Sequence, residues 1–159
     1  ELVSLGRLPH RSRFALPSAD DARAIERAMI ATDTLAFADR TIDTLSGGER
    51  ARIKMARVLA GEPQWILADE PLANLDPPHQ RDMLALFRAA AAEGKGVVTV
   101  LHQLDAASLA DDLLILRRGE VVAHGPVREV LTNANLNAAF GMDFDIVEHA
   151  GRVAVIARA

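Results

Sequence analysis

The chain has 159 residues, half of them hydrophobic and a quarter charged, with a net charge of −4 and no cysteine. That length suffices for a domain with its own core. The composition excludes disulfides and thiolate metal sites, argues against a chain-wide nucleic-acid binder, and offers no run near the roughly 20 apolar residues of a membrane helix. The absence of cysteine fits a reducing compartment. The first residues, Glu1-Leu2-Val3-Ser4, show neither a starting Met nor a signal-peptide pattern, so the chain is expected to be a piece of a longer protein.

Residues 1–45 read as short helices. Ser18 with Asp21 three residues on marks a helix start, after which Ala22, Ile25 and Met29 share one face. Pro9 and Pro17 bracket a basic loop, His10-Arg11-Ser12-Arg13, which needs no explanation beyond a solvated surface. Residues 46–60 form the next helix. Ser46 and Glu49 make an S-x-x-E capping box. Ile53, Ala56 and Ala60 share a face, Arg50, Arg52, Lys54 and Arg57 cover the remainder, and Gly61 with Pro63 stops the helix.

Trp65-Ile66-Leu67-Ala68 is a continuous apolar run, which predicts a strand of a parallel sheet buried on both faces. Pro71 cannot continue such a strand, so the carboxylates Asp69-Glu70 fall at its C-terminal end. Asp76 caps a helix with Pro77 in its first turn, Met83, Leu86, Phe87 and Ala90 give it an apolar face, and Gly94 ends it. Val97 to Leu101 predicts a second buried strand with His102 at its end, followed by a short helix around 106–110. Leu113–Leu116 and Val121–Ala123 read as a hairpin turning at Arg118-Gly119. Pro126 starts a helix with Val127, Val130 and Leu131, and another short helix ends at Phe140-Gly141. Phe144 and Ile146, then Val153 and Val155, alternate as strands around a turn at Ala150-Gly151. Strands alternating with helices indicate an α/β domain.

Two places can carry chemistry. Ligands of open α/β sheets bind off the carboxyl ends of the strands. There, one of Asp69 and Glu70 could hold a Mg²⁺ ion bridging phosphates and the other could orient a water, while His102 could donate to a phosphate oxygen. The start of the helix at Ser46-Gly47-Gly48 offers unpaired N–H groups, a partial positive charge and a hydroxyl, which suits an anion. Taken singly, each feature is explained as well by a turn, a satisfied loop histidine or an ordinary cap.

Their order adds information. Leu45-Ser46-Gly47-Gly48-Glu49, the apolar run into Asp69-Glu70-Pro71, the turn Ala73-Asn74-Leu75-Asp76, and His102 occur in that sequence. This resembles the ATP-binding cassette family, the ATPase subunits of ABC transporters. The resemblance implies a P-loop NTPase-like α/β core, here the later part of its parallel sheet, with a small helical subdomain. Residues 1–60 would be the helical subdomain and 61–159 the remainder of the catalytic core. Leu45 to Glu49 looks like the signature motif, whose last position is often Gln rather than Glu49. Ile66 to Asp69 looks like the Walker B strand, with Asp69 the Mg²⁺ ligand. Glu70 looks like the catalytic glutamate, Ala73 to Asp76 like the D-loop, and His102 like the switch histidine. Ser46, Gly47, Gly48, Glu49 and Asp76 would contact ATP.

The stretch Val3-Ser4-Leu5-Gly6-Arg7 with Pro9-His10, and Gly125-Pro126 through Thr132 with Phe140-Gly141, is similar to one branch, the ATPases of bacterial iron-siderophore, haem and cobalamin importers. That resemblance implies a homodimer on the inner face of the cell membrane, docked on permease subunits and served indirectly by a periplasmic or lipoprotein substrate-binding protein, with no nucleic-acid partner. The pattern departs from the family in one respect. No Gly-x-x-x-x-Gly-Lys-[Ser/Thr] occurs, and neither the glutamine loop nor the adenine-stacking aromatic is recognisable. The chain is therefore expected to begin just after the glutamine loop and, by itself, to bind ATP weakly and hydrolyse it negligibly. The Ser46 end would serve a nucleotide held by a partner subunit. Two other readings compete. One is a non-transport ATPase of the superfamily, which the short spacing from signature to Asp69 and the absence of heptads disfavour. The other is a truncated, non-catalytic cassette acting as a dimerisation or permease-docking module.

Overall fold

The computed structural model describes residues 1–12, 15–149 and 152–158. Arg13 of the basic loop and the turn expected at Ala150-Gly151 lie outside the described residues. The chain forms two compact units, Glu1–Val100 and Leu101–Ala159.

The first unit opens with a 3-10 segment, Val3–His10, and continues into α1 (Ala19–Ala31). The capping box expected at Ser18 is present. The Asp21 N–H donates to Ser18 Oγ at 3.1 Å, and the Ser18 N–H donates to Asp21 Oδ2 at 2.9 Å. The buried face of α1 consists of Asp21, Ala24, Ala28 and Met29 with Ile25 beside it, while Ala22 is exposed, so the apolar stripe lies one position away from the expected one. Helix α2 (Gly47–Ala60) packs on α1 and on the 3-10 segment. Val3, Ala28, Met29, Leu45, Ile53, Ala56 and Ala60 form their common core.

Strand β1 (Trp65–Asp69) and strand β2 (Gly96–Val100) pair in parallel, with Trp65 opposite Gly96 and Asp69 opposite Val100. The crossover between them is α3 (Pro77–Ala92), as a parallel pair requires. Asp76 caps α3 and Gly94 follows its end at φ +86°. Met83, Phe87 and Ala90 are its buried face. The strands themselves depart from expectation. Ile66 is buried, but Trp65 and Leu67 are 66% and 77% exposed, and Val98 and Val100 on the same face are also exposed. One face of the pair is thus covered and the other is open, rather than both being buried. A continuous apolar run reports that both faces can be covered, and among the described residues one is.

The second unit holds two hairpins. Strands β3 (Asp112–Arg117) and β4 (Glu120–Pro126) are antiparallel and turn at Arg118 (φ +53°) and Gly119 (φ +84°), the paired left-handed conformation of a two-residue hairpin loop. Strands β5 (Phe144–His149) and β6 (Arg152–Ala157) form the other. Three short helices complete the unit: α4 (Leu104–Ala107), which begins two residues before its expected position, α5 (Val127–Val130) and α6 (Asn133–Phe140). Leu131, Leu136 and Phe144 form the core of this unit.

Candidate functional site

The start of α2 is built by its capping box. The Glu49 N–H donates to Ser46 Oγ at 3.2 Å, and the Ser46 N–H donates to a Glu49 carboxylate oxygen at 2.6 Å. Glu49 is thereby committed to the helix start. The Ser46 N–H, followed by other cationic and hydroxyl neighbours including Arg40, holds its carboxyl below the usual range. Ser46 Oγ accepts from the Glu49 N–H, and its own proton faces the Glu49 carboxylate. The first-turn N–H groups of Gly47 and Gly48 have no carbonyl one turn earlier to bond.

The two glycines differ. Gly47 is exposed, has no positive φ, and, beyond its chain neighbours and the backbone of its own helix, no heavy atom of the described residues comes within 4 Å of where its Cβ would stand. Nothing inside the chain asks for glycine there. Gly48 is buried, and a Cβ on it would fall under 3.0 Å from Cγ, Cδ2 and Nε2 of His79.

Asp69 and Glu70 stand where the sequence placed them, at the C-terminal end of β1 and both exposed. The Glu70 N–H donates to the Val100 carbonyl at 3.0 Å, so β2 pins the residue just after the strand end. Glu70 is held at φ +46°, a conformation non-glycine residues seldom adopt and one that concentrates at functional sites. Its carbonyl accepts from the Ala73 N–H at 3.0 Å, opening the turn that runs through Asn74 (φ +60°) to Asp76. Asp76 accepts from the His79 N–H at 3.2 Å. Gln80 braces the turn from the first turn of α3, donating from Nε2 to the carbonyls of Leu72 and Leu75 at 3.3 and 3.0 Å. His102 belongs to the second unit, two residues past the end of β2. Ser46 to Glu49, Asp69, Glu70 and Asp76 all belong to the first unit.

Among the described residues, no group of three or more His, Cys, Asp or Glu gathers to hold a metal ion. The exposed Asp69 carboxylate fits the alternative pattern of Mg²⁺, one protein carboxylate with substrate phosphates and water as the other ligands.

Three side chains have roles that the sequence does not announce: His79, Gln80 and Arg7. Arg7 is 6% exposed. It donates from Nε to Asp21 at 2.9 Å and from a terminal nitrogen to the Ala60 carbonyl at 2.9 Å and to Glu62 at 2.7 Å. It therefore fastens the C-terminal end of the helix whose other end is Ser46. Its partners lie 14 to 55 residues away, beyond any local pattern. The Pro77-Pro78 pair was the one available signal for His79 and Gln80, since it puts the next two side chains in the first turn of α3. A cleft of about 840 Å³ also opens in this unit, lined in part by Leu2, Ile25, Met29, Phe37, Ile42 and Ile53, with Asp39 and Asp43 beside them.

Residues 6–73 match the family model described as ABC transporter. The chain is similar to the ATPases of ABC transporters, and its fold is that of part of such a cassette. It is 44% identical over 150 residues to the hemin import ATP-binding protein HmuV of Rhodococcus jostii, covering 94% of this chain and 51% of that protein. It is 39% identical over 150 residues to the ferric enterobactin transport ATP-binding protein FepC of Escherichia coli, covering 93% and 55%. The fold matches a metal-chelate type ABC transporter solved in an inward-facing conformation, with a TM-score of 0.91 at 29% identity over 99% of this chain and 66% of that one. The chain spans about half the length of the relatives it matches.

Proposed function

We propose that the parent of this chain is the ATP-binding and ATP-hydrolysing subunit of a bacterial importer of iron chelate, haem or cobalamin. The observation that carries the reading is the start of α2. Ser46 and Gly47 present a hydroxyl, first-turn N–H groups and a bare exposed Cα to the outside of the chain, and no intrachain packing explains the glycine. A helix end shaped in this way suits a phosphate brought by another molecule. The same unit presents Asp69 and Glu70 at a strand end, where an α/β sheet binds its ligand.

The roles follow from chemistry and position. Glu70 orients and polarises the attacking water from a backbone fixed by β2 and by the turn to Ala73. Asp69 would hold Mg²⁺, which would supply positive charge to offset that of the phosphates. Ser46 and Gly47 donate to the γ-phosphate of the nucleotide held by a second copy of the subunit. Glu49 supports them by capping the helix, and Asp76 does so by fixing the start of α3. His102 donates to the γ-phosphate of its own subunit's nucleotide. ATP binding closes the homodimer and hydrolysis releases it. Residues 1–60 act as the helical part and 61–159 as the remainder of the core.

The partners are permease subunits, through them a periplasmic or lipoprotein substrate-binding protein, and no nucleic acid. The cleft beside α1 offers an apolar seat for a permease segment. No helix among the described residues is long and apolar enough to cross a membrane. The test is Glu70→Gln in the intact parent polypeptide. ATP turnover is expected to fall at least about 100-fold, with an ATP-bound dimer accumulating on size-exclusion chromatography. Normal turnover in that variant would refute the role of Glu70.

A further inference from the structure

The start of α2 and the start of α3 meet at one contact. Gly48 is the second residue of α2 and His79 the third of α3. The imidazole lies on the bare Cα of Gly48, where a Cβ would come under 3.0 Å from three ring atoms. One of those atoms is Cγ, at the root of the ring. A methyl group at 48 therefore cannot be accommodated by a small swing of a side-chain tip.

The other surroundings of His79 point the same way. Nδ1 is buried with no hydrogen-bond partner among the described residues. Buried polar atoms are normally satisfied, so the ring is held there by its seat on Gly48 and not by a hydrogen bond from Nδ1 to the described residues. Nε2 stands 3.9 Å from Asp76 Oδ1, and the His79 N–H donates to that same carboxylate oxygen. His79 is thus joined to the cap of its own helix and seated on the other helix. Gln80, the next residue, holds the turn from Leu72 to Leu75 through two carbonyls. The connections run in series. Glu70 opens the turn, Gln80 ties the turn to α3, and His79 ties α3 to Gly48, two residues after Ser46.

We propose that His79 is a positioning residue that fixes the start of α2 against the start of α3, so that the Ser46 half-site and the Glu70–Asp76 turn move as one piece. Gly48 is glycine to admit this ring, and Gly47 is glycine to admit the phosphate. The proposal rests on the ATPase reading above, because its consequence is that a change at one subunit's Glu70 turn reaches the donors facing the partner's nucleotide.

The test is a double-mutant cycle in the intact parent polypeptide. It reads steady-state ATPase activity and, in the Glu70→Gln background, ATP-dependent dimerisation by light scattering. Gly48→Ala is expected to lower kcat at least about tenfold, with KM for ATP within about threefold. His79→Ala is expected to lower kcat by about three- to tenfold. In the His79→Ala background, adding Gly48→Ala should cost less than about threefold, because the clash has gone, and ATP-dependent dimerisation lost in Gly48→Ala should return. His79→Phe, which keeps a flat ring, should retain kcat and remain intolerant of Gly48→Ala. Where His79→Ala does not fold, His79→Ser supplies the same comparison. A Gly48→Ala effect equally severe with and without His79, or unchanged kcat in His79→Ala, overturns the proposal. A wild-type parent with no ATPase activity overturns the functional reading instead.

Discussion

Replacing Arg7 by Met isolates the anchor at the far end of α2. The substitution keeps much of the side-chain volume of this buried residue and removes the guanidinium, which gives hydrogen bonds to Asp21, the Ala60 carbonyl and Glu62. The Glu62 bond counts for little, because that carboxylate is half exposed and also accepts from Arg27. The buried remainder dominates. One helix-end carbonyl loses a charge-assisted donor, and one carboxylate is left buried without its cation. Breaking a buried pair from one side costs about 3–5 kcal/mol, against a total stability of about 5–15 kcal/mol for a domain. At about 2–4 °C per kcal/mol, the melting temperature should fall by roughly 10 °C. Urea unfolding of the intact parent, followed by circular dichroism, measures the loss as a lower midpoint with an unchanged slope. The double variant Arg7→Met/Asp21→Leu should recover most of it, since an apolar pair of similar volume can replace a buried ion pair. A loss below about 1 kcal/mol in Arg7→Met would refute the anchor, because even a neutral buried hydrogen bond contributes about that much.

Two further outcomes follow from the same geometry. Asp21 is drawn down to about 2, first by the Ser18 N–H and then by Arg7, and Glu62 and Glu49 are also held low. Folding thus favours their ionised forms. Their stabilisation is complete above about pH 4–5 and is lost as pH falls toward 2. Unfolding midpoints taken from pH 6 down to pH 2 should decline through that window, with a shallower decline in Asp21→Asn; a flat profile would contradict the assignment. Gly47→Ala should leave stability unchanged or raise it by a few tenths of a kcal/mol, because its Cβ enters open space in a helical turn, while turnover by the parent falls. Undiminished turnover in Gly47→Ala would remove Gly47 from the phosphate site.

Much of this architecture was legible in short segments, because the signals were local. Ser18/Asp21, Ser46/Glu49 and Asp76-Pro77 set helix starts through contacts three residues apart, and Arg118-Gly119 set a hairpin through two backbone conformations. The strands were legible in position but not in environment. A run such as Trp65 to Ala68 reports a wish to be covered on both faces, and only the rest of the fold decides whether both are. The helical stripe of α1 was displaced for a related reason. Asp21 is buried because Arg7 meets it, so a charged residue occupies the face that hydrophobic periodicity assigns to carbon.

The site divides along the same line. Along the sequence, Ser46, Gly47 and Gly48 form one phosphate cradle, since adjacent residues of one type invite one explanation. The structure gives the two glycines opposite surroundings. Gly47 is open, and Gly48 is covered by a ring 31 residues further along. That distinction cannot arise from the segment itself, because it depends on where α3 begins. It also shows how a short motif can carry two constraints at once. One glycine keeps the surface clear for a ligand, and the other lets a second helix approach closely enough to govern where that surface points. A substitution at either position would silence the motif, but only at Gly48 can a change elsewhere in the chain restore it.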